Sequence, residues 1–180
     1  MSLKNNLLIY RAFGFNIVSE IIIPEIHQLQ ICDKQPDISI KKKELYDLWL
    51  QNDPGNSYFT ITDDFVMFHV PDVAYFLIRN GNEIYFSPIN NCEEDSLRLY
   101  ILGTCMGMIL LQRRILPLHG SSICINGKAY AIVGDSGVGK STLAKAFLNR
   151  GYQLISDDIV PVSFTEDIFE ALDIQDELQT

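Results

Sequence analysis

Short apolar and alternating runs in the first half of the sequence predict β-strands there. Residues 58–62 alternate, with Phe59 and Ile61 between Tyr58, Thr60 and Thr62, and further strand-like runs follow at 65–70, 73–78 and 83–86. Alternation with a period of two presents one face of a strand to a core, and short apolar runs bounded by turn residues are also typical of strands. Asn80 and Gly81 separate the last two runs, and Asn-Gly is the strongest short hairpin signal because a tight turn needs positive φ at both positions. We therefore predict an antiparallel meander within a β-rich region that covers residues 1–90.

A helical pattern follows this region. Asn91 is expected to cap the helix, with Glu94 at the capping-box position. The helix is predicted to end at Arg113 and Arg114, where cations suit the negative end of the helix dipole. Nearly every residue over 99–111 is apolar or small, so we expect the helix to be buried on most of its faces. The run is too short to cross a bilayer, which requires about 20 apolar residues.

The last third of the sequence alternates between strand and helix patterns. Two strand-like segments, 121–125 and 128–133, flank an Asn-Gly pair and predict a second tight hairpin. A glycine-rich loop, a helix over 140–149 and a strand over 152–156 come next. The intervening helix predicts a right-handed crossover, which makes the strands before and after it parallel. The predicted fold class is α/β (α+β overall), with a mixed sheet in residues 91–180.

Composition and charge limit the classes of partner. The 180 residues include 14 Lys and Arg against 23 Asp and Glu, a net charge of −9, so nucleic acid and anionic membranes would be repelled. No uncharged apolar run is long enough for a membrane span, and the N-terminus lacks a secretory-signal pattern, so we expect a cytoplasmic protein. The four cysteines lack CxxC spacing, which favours neither a zinc site nor a disulfide framework. His27 and His69 have no partners at ligand spacing and are interpreted as structural or surface residues.

A phosphate-binding loop is the strongest motif. Residues 134–141 spell GDSGVGKS, a full match to the pattern GxxxxGK[ST]. Successive backbone N–H groups in such a loop surround phosphate oxygens, the glycines allow close approach, and the following helix adds the positive end of its dipole. We expect Lys140 to neutralise the β- and γ-phosphates and the Ser141 hydroxyl to bind Mg²⁺. The predicted nucleotide-binding residues are Gly134, Asp135, Ser136, Gly137, Val138, Gly139, Lys140, Ser141 and Thr142.

Three further side chains are expected beside this loop. In a two-residue hairpin, strand pairing brings His119 opposite Gly134, and paired residues lie about 5 Å apart. Asp157 and Asp158 end the strand after the loop helix, so they open on the same edge of the sheet. Adjacent strand residues point to opposite faces, which predicts that one carboxylate holds Mg²⁺ with Ser141 and the other accepts a proton from an attacking hydroxyl. Alternatively, the aspartates only begin a surface turn, and His119 is a structural hydrogen-bonding residue.

Residues 116–158 resemble the HPr kinase/phosphorylase family. The matching features are a His-Gly pair before a short hairpin, the GDSGVGKS loop, and a strand that closes on Asp-Asp one helix later. The resemblance implies a phosphoenolpyruvate-carboxykinase-like, phosphate-loop nucleotide-binding core over residues 91–180. It also implies a serine kinase that uses ATP and Mg²⁺ and transfers the γ-phosphate to a serine hydroxyl.

The resemblance also implies roles for individual residues. Gly134 to Lys140 would hold the phosphates, with Lys140 taking part in catalysis. Ser141 and Asp158 would bind Mg²⁺. Asp157 would be the catalytic base, assisted by His119.

The N-terminal half carries a second likeness. Its opening segment YRAFGFNIVSEIIIPEI, residues 10–26, is similar to stand-alone HPr-kinase-like proteins, including those encoded with lasso-peptide biosynthesis genes. This implies a serine-bearing peptide or small protein as the acceptor, with a lasso-peptide precursor as one candidate. Analogy with the family also implies that the protein forms a homo-oligomer. Kinases of this type continue well past the Asp-Asp strand and supply a further acidic metal ligand there, so we expect residues 91–180 to be a truncated core.

Other functions fit the same motifs. A nucleotide-binding module or truncated kinase would bind ATP without efficient phosphoryl transfer. A small-molecule kinase would phosphorylate free serine rather than peptides. A structural domain with an accidental loop would bind neither ATP nor GTP. The sequence leaves open the acceptor and the choice among ATP, GTP and pyrophosphate.

Overall fold

The structure is a computed structural model. It describes residues 8–30, 35–52, 57–165 and 168–171, with side chains as far as Ser163. The chain divides into two compact units, Met1–Arg113 and Arg114–Thr180. The predicted fold class, α/β and α+β overall with a β-rich N-terminal region, is confirmed.

The first unit contains a large mixed sheet. Its strands are β1 (Leu8–Ala12), β2 (Phe15–Ser19), β3 (His27–Leu29), β4 (Ile38–Lys42), β5 (Phe59–Ile61), β6 (Phe65–Val70), β7 (Ala74–Arg79) and β8 (Glu83–Pro88). They lie in the order β3-β1-β2-β4-β8-β7-β6-β5. Strand β4 runs parallel to its neighbours β2 and β8, and the other neighbouring pairs are antiparallel. The succession from β5 to β8 is the predicted meander, which is confirmed.

The turn between β7 and β8 has the conformation that its sequence predicts. Asn80 has a φ of 57° and Gly81 a φ of 63°, so both central residues lie in the left-handed region that a type I′ turn requires. The Asn82 amide closes the turn by donating to the Arg79 carbonyl, with N and O 3.3 Å apart. Local turn chemistry therefore accounts for this hairpin.

Helices cover both faces of the large sheet. Helix α1 (Tyr46–Asn52) packs Trp49 with Leu77 on one face. On the opposite face Phe76 lies against Tyr100, with ring centroids 6.1 Å apart. Because successive strand residues alternate between faces, Phe76 and Leu77 contribute to different hydrophobic layers.

Tyr100 belongs to a long helical segment that packs on this face of the sheet. Its parts are α2 (Glu94–Tyr100), a π-helical turn (Ile101–Cys105) and α3 (Met106–Gln112). The predicted cap at Asn91 is wrong, because Asn91 lies in a turn with a φ of 66° and the helix begins at Glu94 without a side-chain cap. Burial on most faces is confirmed, because residues 100–110 are all buried or half-buried, and only Leu99 and Leu111 at the ends of the run are exposed, by 67% and 51%. None of the helices in the described part of the chain is both long and apolar enough to cross a membrane.

The end of this helical segment is tied to the first sheet. The Gly81 amide donates to Gln112 Oε1 at 2.8 Å. The Arg113 guanidinium donates to the carbonyl oxygens of Gly81 and Asp37, at 2.5 and 2.8 Å. The helix therefore groups with the β-rich region, and the boundary between the compact units falls between Arg113 and Arg114 rather than at the predicted position 90.

The second unit contains a smaller sheet. Its strands are β9 (Leu116–Ile125), β10 (Lys128–Val133), β11 (Gln153–Thr165) and β12 (Ile168–Ala171), and its helix is α4 (Lys140–Leu148). The strand order is β10-β9-β11-β12, and every neighbouring pair is antiparallel. Strands β10 and β11 run parallel to each other, as predicted for a crossover through α4. Because β9 lies between them, the described part of this sheet is antiparallel rather than mixed.

The predicted hairpin and loop helix of the second unit are confirmed. Ile125 pairs with Lys128, and both residues of the Asn-Gly pair between them have positive φ. Helix α4 begins at Lys140. The last strand differs from the prediction, because β11 continues through the two aspartates to Thr165. It does so because β9 extends back to Leu116 and supplies pairing partners along that length.

Candidate active site

A cleft of about 500 Å³ opens in the second unit. Its lining residues come from β9, the phosphate loop, α4 and β11, and are His119, Gly120, Ser121, Ser136, Gly137, Gly139, Lys140, Ser141, Thr142, Asp157 and Asp158. Every predicted catalytic and metal-binding residue is among them. Of the predicted phosphate-loop residues, Gly134, Asp135 and Val138 are not among the lining residues.

The phosphate loop connects β10 directly to α4. Gly137 and Gly139 have φ of 84° and 92°, a region that residues with a Cβ rarely adopt. Gly139 immediately precedes the first helical residue, Lys140. The unpaired N–H groups of the first helical turn therefore lie at the cleft, where a helix N-terminus can bind phosphate.

The Lys140 ammonium lies over the loop. Its Nζ donates to the carbonyl oxygens of Gly134 and Asp135, each at 3.0 Å. An ammonium carries three N–H donors, so one remains for a phosphate oxygen without loss of these two bonds. The lysine is therefore held at the position where phosphates would approach the loop.

A bulge in β11 sets the register of the two aspartates. The pairing of β11 with β9 shifts between Leu154 and Ser156, which places one extra residue in β11. Beyond the bulge Asp157 lies opposite Ser121. With unbroken pairing Asp157 would lie opposite Gly120, which has no side chain to meet the carboxylate.

Two hydroxyl groups contact one oxygen of Asp157. Ser121 Oγ lies 2.5 Å from Asp157 Oδ1, and Ser141 Oγ lies 3.5 Å from the same oxygen. Each hydroxyl can donate to the ionised carboxylate. The predicted site residues did not include Ser121, because the bulge that brings it to Asp157 leaves no mark in the hydrophobic pattern.

His119 lies beside Asp158. Asp158 has a φ of 78°, a left-handed conformation that Asp adopts more readily than most residues. This conformation breaks the alternation of faces, so both carboxylates reach one cleft and the predicted opposite orientation is wrong. Nδ1 of His119 lies 3.3 Å from Asp158 Oδ1 and 3.1 Å from the Asp158 carbonyl oxygen. Since a carbonyl only accepts, this contact requires the proton on Nδ1, and Nε2 of the neutral ring is then an acceptor.

The structure pairs Ser141 and His119 with different aspartates from those implied by the family resemblance. That resemblance pairs Ser141 with Asp158 and His119 with Asp157. In the structure Ser141 contacts Asp157, and His119 contacts Asp158.

The types of ligand atom in the cleft indicate which metal ion the cleft could bind. No group of three or more His, Cys, Asp or Glu side chains is arranged to hold a metal ion in the part of the chain that the structure describes. The cleft offers oxygen atoms instead, from the Ser141 hydroxyl and the carboxylates of Asp157 and Asp158. Mg²⁺ prefers oxygen ligands, keeps several waters, and is usually held by one or two carboxylates together with substrate phosphates. The residues present therefore fit Mg²⁺ bound with a nucleotide.

The other two histidines lie in the first unit. His27 is exposed on β3. His69 stacks on Tyr75, with ring centroids 4.3 Å apart. Burial lowers the pKa of His69, and the Asp72 carboxylate opposes this effect. Both placements agree with the structural or surface roles predicted for them.

Comparison with known proteins identifies the family. Residues 112–171 match the family model described as the HPr Serine kinase C-terminal domain. The HPr kinase/phosphorylase of Cupriavidus metallidurans is 30% identical over 138 residues, which are 76% of this chain and 38% of the relative. The HPr kinase/phosphorylase of Mycoplasmopsis pulmonis is 42% identical over 64 residues, which are 34% of this chain and 21% of the relative. No solved structure matches the chain.

These matches confirm the family resemblance predicted from the sequence. The phosphate-loop unit belongs to the HPr kinase/phosphorylase family. The chain spans 38% of the length of the Cupriavidus relative and 26% of the length of the similar protein from Burkholderia lata, to which it is 36% identical over 91 residues.

Proposed function

We propose that this protein transfers the γ-phosphate of ATP, in the presence of Mg²⁺, to a serine hydroxyl of a peptide or small protein. The observation that carries the proposal is the convergence of the phosphate loop, His119 and two aspartates on one cleft. The relatives support it, since their names designate a kinase of the protein HPr. Phosphoryl transfer depends mainly on positioning and electrostatic stabilisation, and this cleft supplies groups for both.

The nucleotide phosphates would lie along the phosphate loop. Backbone N–H groups of residues 134–139 and of the first turn of α4 would donate to phosphate oxygens. Lys140 would add a positive charge beside the β- and γ-phosphates. Its contacts with the Gly134 and Asp135 carbonyls keep the ammonium at the loop.

Ser141 and Asp157 are the proposed protein ligands of Mg²⁺. Their oxygen atoms are already neighbours, 3.5 Å apart, and hard oxygen donors are the ligands that Mg²⁺ prefers. A bound Mg²⁺ would neutralise negative charge on the phosphates. Asp158, the ligand implied by the family resemblance, contacts His119 instead.

Asp158 is the proposed general base, with His119 beside it. The carboxylate would accept the proton of the attacking serine hydroxyl. The His119 N–H, 3.3 Å from Asp158 Oδ1, would orient that carboxylate. This assignment exchanges the roles that the family resemblance implies for Asp157 and Asp158.

The acceptor is proposed to be a protein or peptide with an accessible serine. HPr is one candidate because the relatives are named for it. A lasso-peptide precursor is another because of the likeness carried by residues 10–26. The net charge of −9 disfavours nucleic acid and anionic membranes as partners. We also propose that the protein is cytoplasmic and that it forms a homo-oligomer.

Transfer from labelled ATP tests the assignment of the two aspartates. Asp158→Asn removes the proposed base and should lower the turnover rate by about 10²–10⁴-fold. Asp157→Asn removes a proposed metal ligand and should raise the Mg²⁺ concentration required for half-maximal activity. The opposite pattern, with the Mg²⁺ requirement changed only in Asp158→Asn, would restore the assignment implied by the resemblance.

A nucleotide-binding module without efficient transfer is the second candidate. The described residues contain no cluster of three His, Cys, Asp or Glu side chains that could hold a metal ion. Mg²⁺ would therefore depend on few protein ligands, which favours a module that binds nucleotide without efficient transfer. This candidate predicts ATP binding that is lost in Lys140→Ala, with no phosphorylated product from any acceptor. Calorimetry paired with product detection distinguishes the two functions, and phosphorylation of free serine alone would indicate a small-molecule kinase.

A further inference from the structure

We propose that Ser121 is a positioning residue, which holds Asp157 in the orientation needed for Mg²⁺-assisted nucleotide binding. The inference rests on the proposed function, because it concerns the carboxylate assigned there to Mg²⁺. Neither the sequence motifs nor the family resemblance assigned a role to Ser121.

The contact between Ser121 and Asp157 is built into the sheet. The two residues are direct cross-strand partners on β9 and β11, and Ser121 Oγ lies 2.5 Å from Asp157 Oδ1. Opposed residues in an antiparallel pair have close Cβ atoms, so two short side chains can form this bond. The bulge between Leu154 and Ser156 creates the pairing. Backbone register therefore determines where the Asp157 carboxylate lies.

Ser121 acts through Asp157 rather than on a ligand. The residue is only 1% exposed, whereas Asp157 is exposed at the cleft. Although Ser121 is among the residues that line the cleft, a residue so deeply buried offers almost no surface to a metal ion or a phosphate. Its effect on a bound group must therefore be transmitted by the carboxylate that it contacts.

The two hydroxyl contacts of Asp157 differ in length. Ser121 Oγ is 2.5 Å from Oδ1, whereas Ser141 Oγ is 3.5 Å from it, near the limit for a hydrogen bond. Ser121 is thus the firm anchor, and the Ser141 hydroxyl can turn towards a metal without releasing the carboxylate. Groups that orient a ligating carboxylate commonly change metal affinity by about 10–100-fold when they are removed.

Ser122 provides a matched control on the same strand. It is completely buried, and its Oγ is a buried polar atom without a hydrogen-bond partner in the described part of the chain. Ser122→Ala therefore removes an equally buried hydroxyl that makes no hydrogen bond to Asp157. Ser121→Thr keeps a hydroxyl at the position and tests rescue.

The experiment measures ATP affinity by calorimetry, on the full chain, with Mg²⁺ and again with EDTA. The quantity compared is the ratio of the ATP affinity with Mg²⁺ to the ATP affinity with EDTA. A general loss of packing would lower both affinities and leave this ratio unchanged. We expect Ser121→Ala to reduce this ratio by about 10-fold or more, with ATP affinity in EDTA unchanged. Ser122→Ala and Ser121→Thr should keep the ratio of the original protein.

Each other outcome overturns the inference. An unchanged ratio in Ser121→Ala would refute the role of Ser121 and leave the proposed function standing. Equal reductions in Ser121→Ala and Ser122→Ala would assign the effect to packing of β9. If the unaltered chain binds ATP with no Mg²⁺ enhancement, or does not bind it at all, the proposed function fails and this inference fails with it.

Discussion

His119 and Asp158 meet across β9 and β11, where one imidazole nitrogen contacts two oxygens of the same aspartate. Nδ1 lies 3.3 Å from the carboxylate Oδ1 and 3.1 Å from the carbonyl oxygen. Because both contacts use Nδ1, a side chain that places a donor at that position should substitute for histidine better than one that mimics Nε2.

Substitutions of His119 test this relationship. His119→Asn keeps an N–H donor close to the Nδ1 position, whereas His119→Gln places its amide nearer to Nε2. We expect His119→Ala and His119→Gln to lower the turnover rate by about 100-fold, and His119→Asn to lower it less. Steady-state kinetics at saturating ATP measures the effect. Better activity in His119→Gln than in His119→Asn would show that Nε2 is the functional nitrogen.

Removal of the loop ammonium should weaken nucleotide binding. Lys140→Ala deletes the charge that lies over the loop, and a hydrogen bond to a charged group contributes about 1.5–3 kcal/mol. We therefore expect a loss of ATP affinity of about 10-fold or more, measured by calorimetry. Lys145→Ala removes an exposed charge further along α4 and should keep the affinity within about 2-fold. Equal losses in both variants would indicate only a long-range charge effect.

Gly120 is required by a close approach of backbone rather than by a special φ. A Cβ at this position would clash with the Ile132 carbonyl oxygen, just before the phosphate loop. We expect Gly120→Ala to lower the free energy of unfolding by about 1–3 kcal/mol through overpacking. Gly103→Ala is the control, because a Cβ there meets no atom within 4 Å. Urea unfolding measures both, and a Gly120→Ala variant as stable as Gly103→Ala would contradict the close approach.

His69 should make stability depend on pH. Burial is the main cause that lowers its folded pKa below the ordinary value of 6.5, against the opposing charge of Asp72. The unfolded chain then binds the proton more readily, so the free energy of unfolding should fall as pH drops from about 6.5 through the lowered folded pKa. Below that value the contribution levels off. His69→Asn should remove this part of the pH dependence.

Trp49 is a suitable probe of that effect. It is the single tryptophan of the sequence, and its ring centroid lies 5.9 Å from that of His69. Urea unfolding followed by its fluorescence at several pH values should separate His69→Asn from the original protein between pH 7 and pH 5. His27→Asn, which removes an exposed imidazole from β3, is the control. Parallel pH profiles for all three proteins would contradict the assignment to His69.

Much of the fold was predictable because its signals are local. The Asn-Gly pairs at 80–81 and 126–127 form turns with positive φ, and each determines the register of the strands beside it. The register of the second hairpin also placed His119 at the start of the phosphate loop. Asn91 shows the limit of such signals, because asparagine favours both helix caps and left-handed turns. In the structure it lies in a turn that the Cys92 amide closes by donating to the Ile89 carbonyl at 3.1 Å.

The arrangement of the two aspartates was not predictable. Regular alternation places Asp157 and Asp158 on opposite faces, but Asp158 adopts a left-handed φ of 78°. The bulge before Ser156 changes the partner of Asp157 from Gly120 to Ser121. Both features arise from the pairing of β11 with a strand more than thirty positions earlier in the chain, and a hydrophobic pattern does not encode an irregular long-range register.

Transfer of labelled phosphate to serine tests the central claim most directly. The full chain would be incubated with γ-labelled ATP, Mg²⁺ and, in turn, HPr, lasso-peptide precursors and free serine. We expect label on a serine of a protein or peptide acceptor, abolished by EDTA and reduced by about 10²–10⁴-fold in Asp158→Asn while ATP affinity stays within a few-fold. ATP binding without labelled product from any of these acceptors would contradict the proposed phosphoryl transfer.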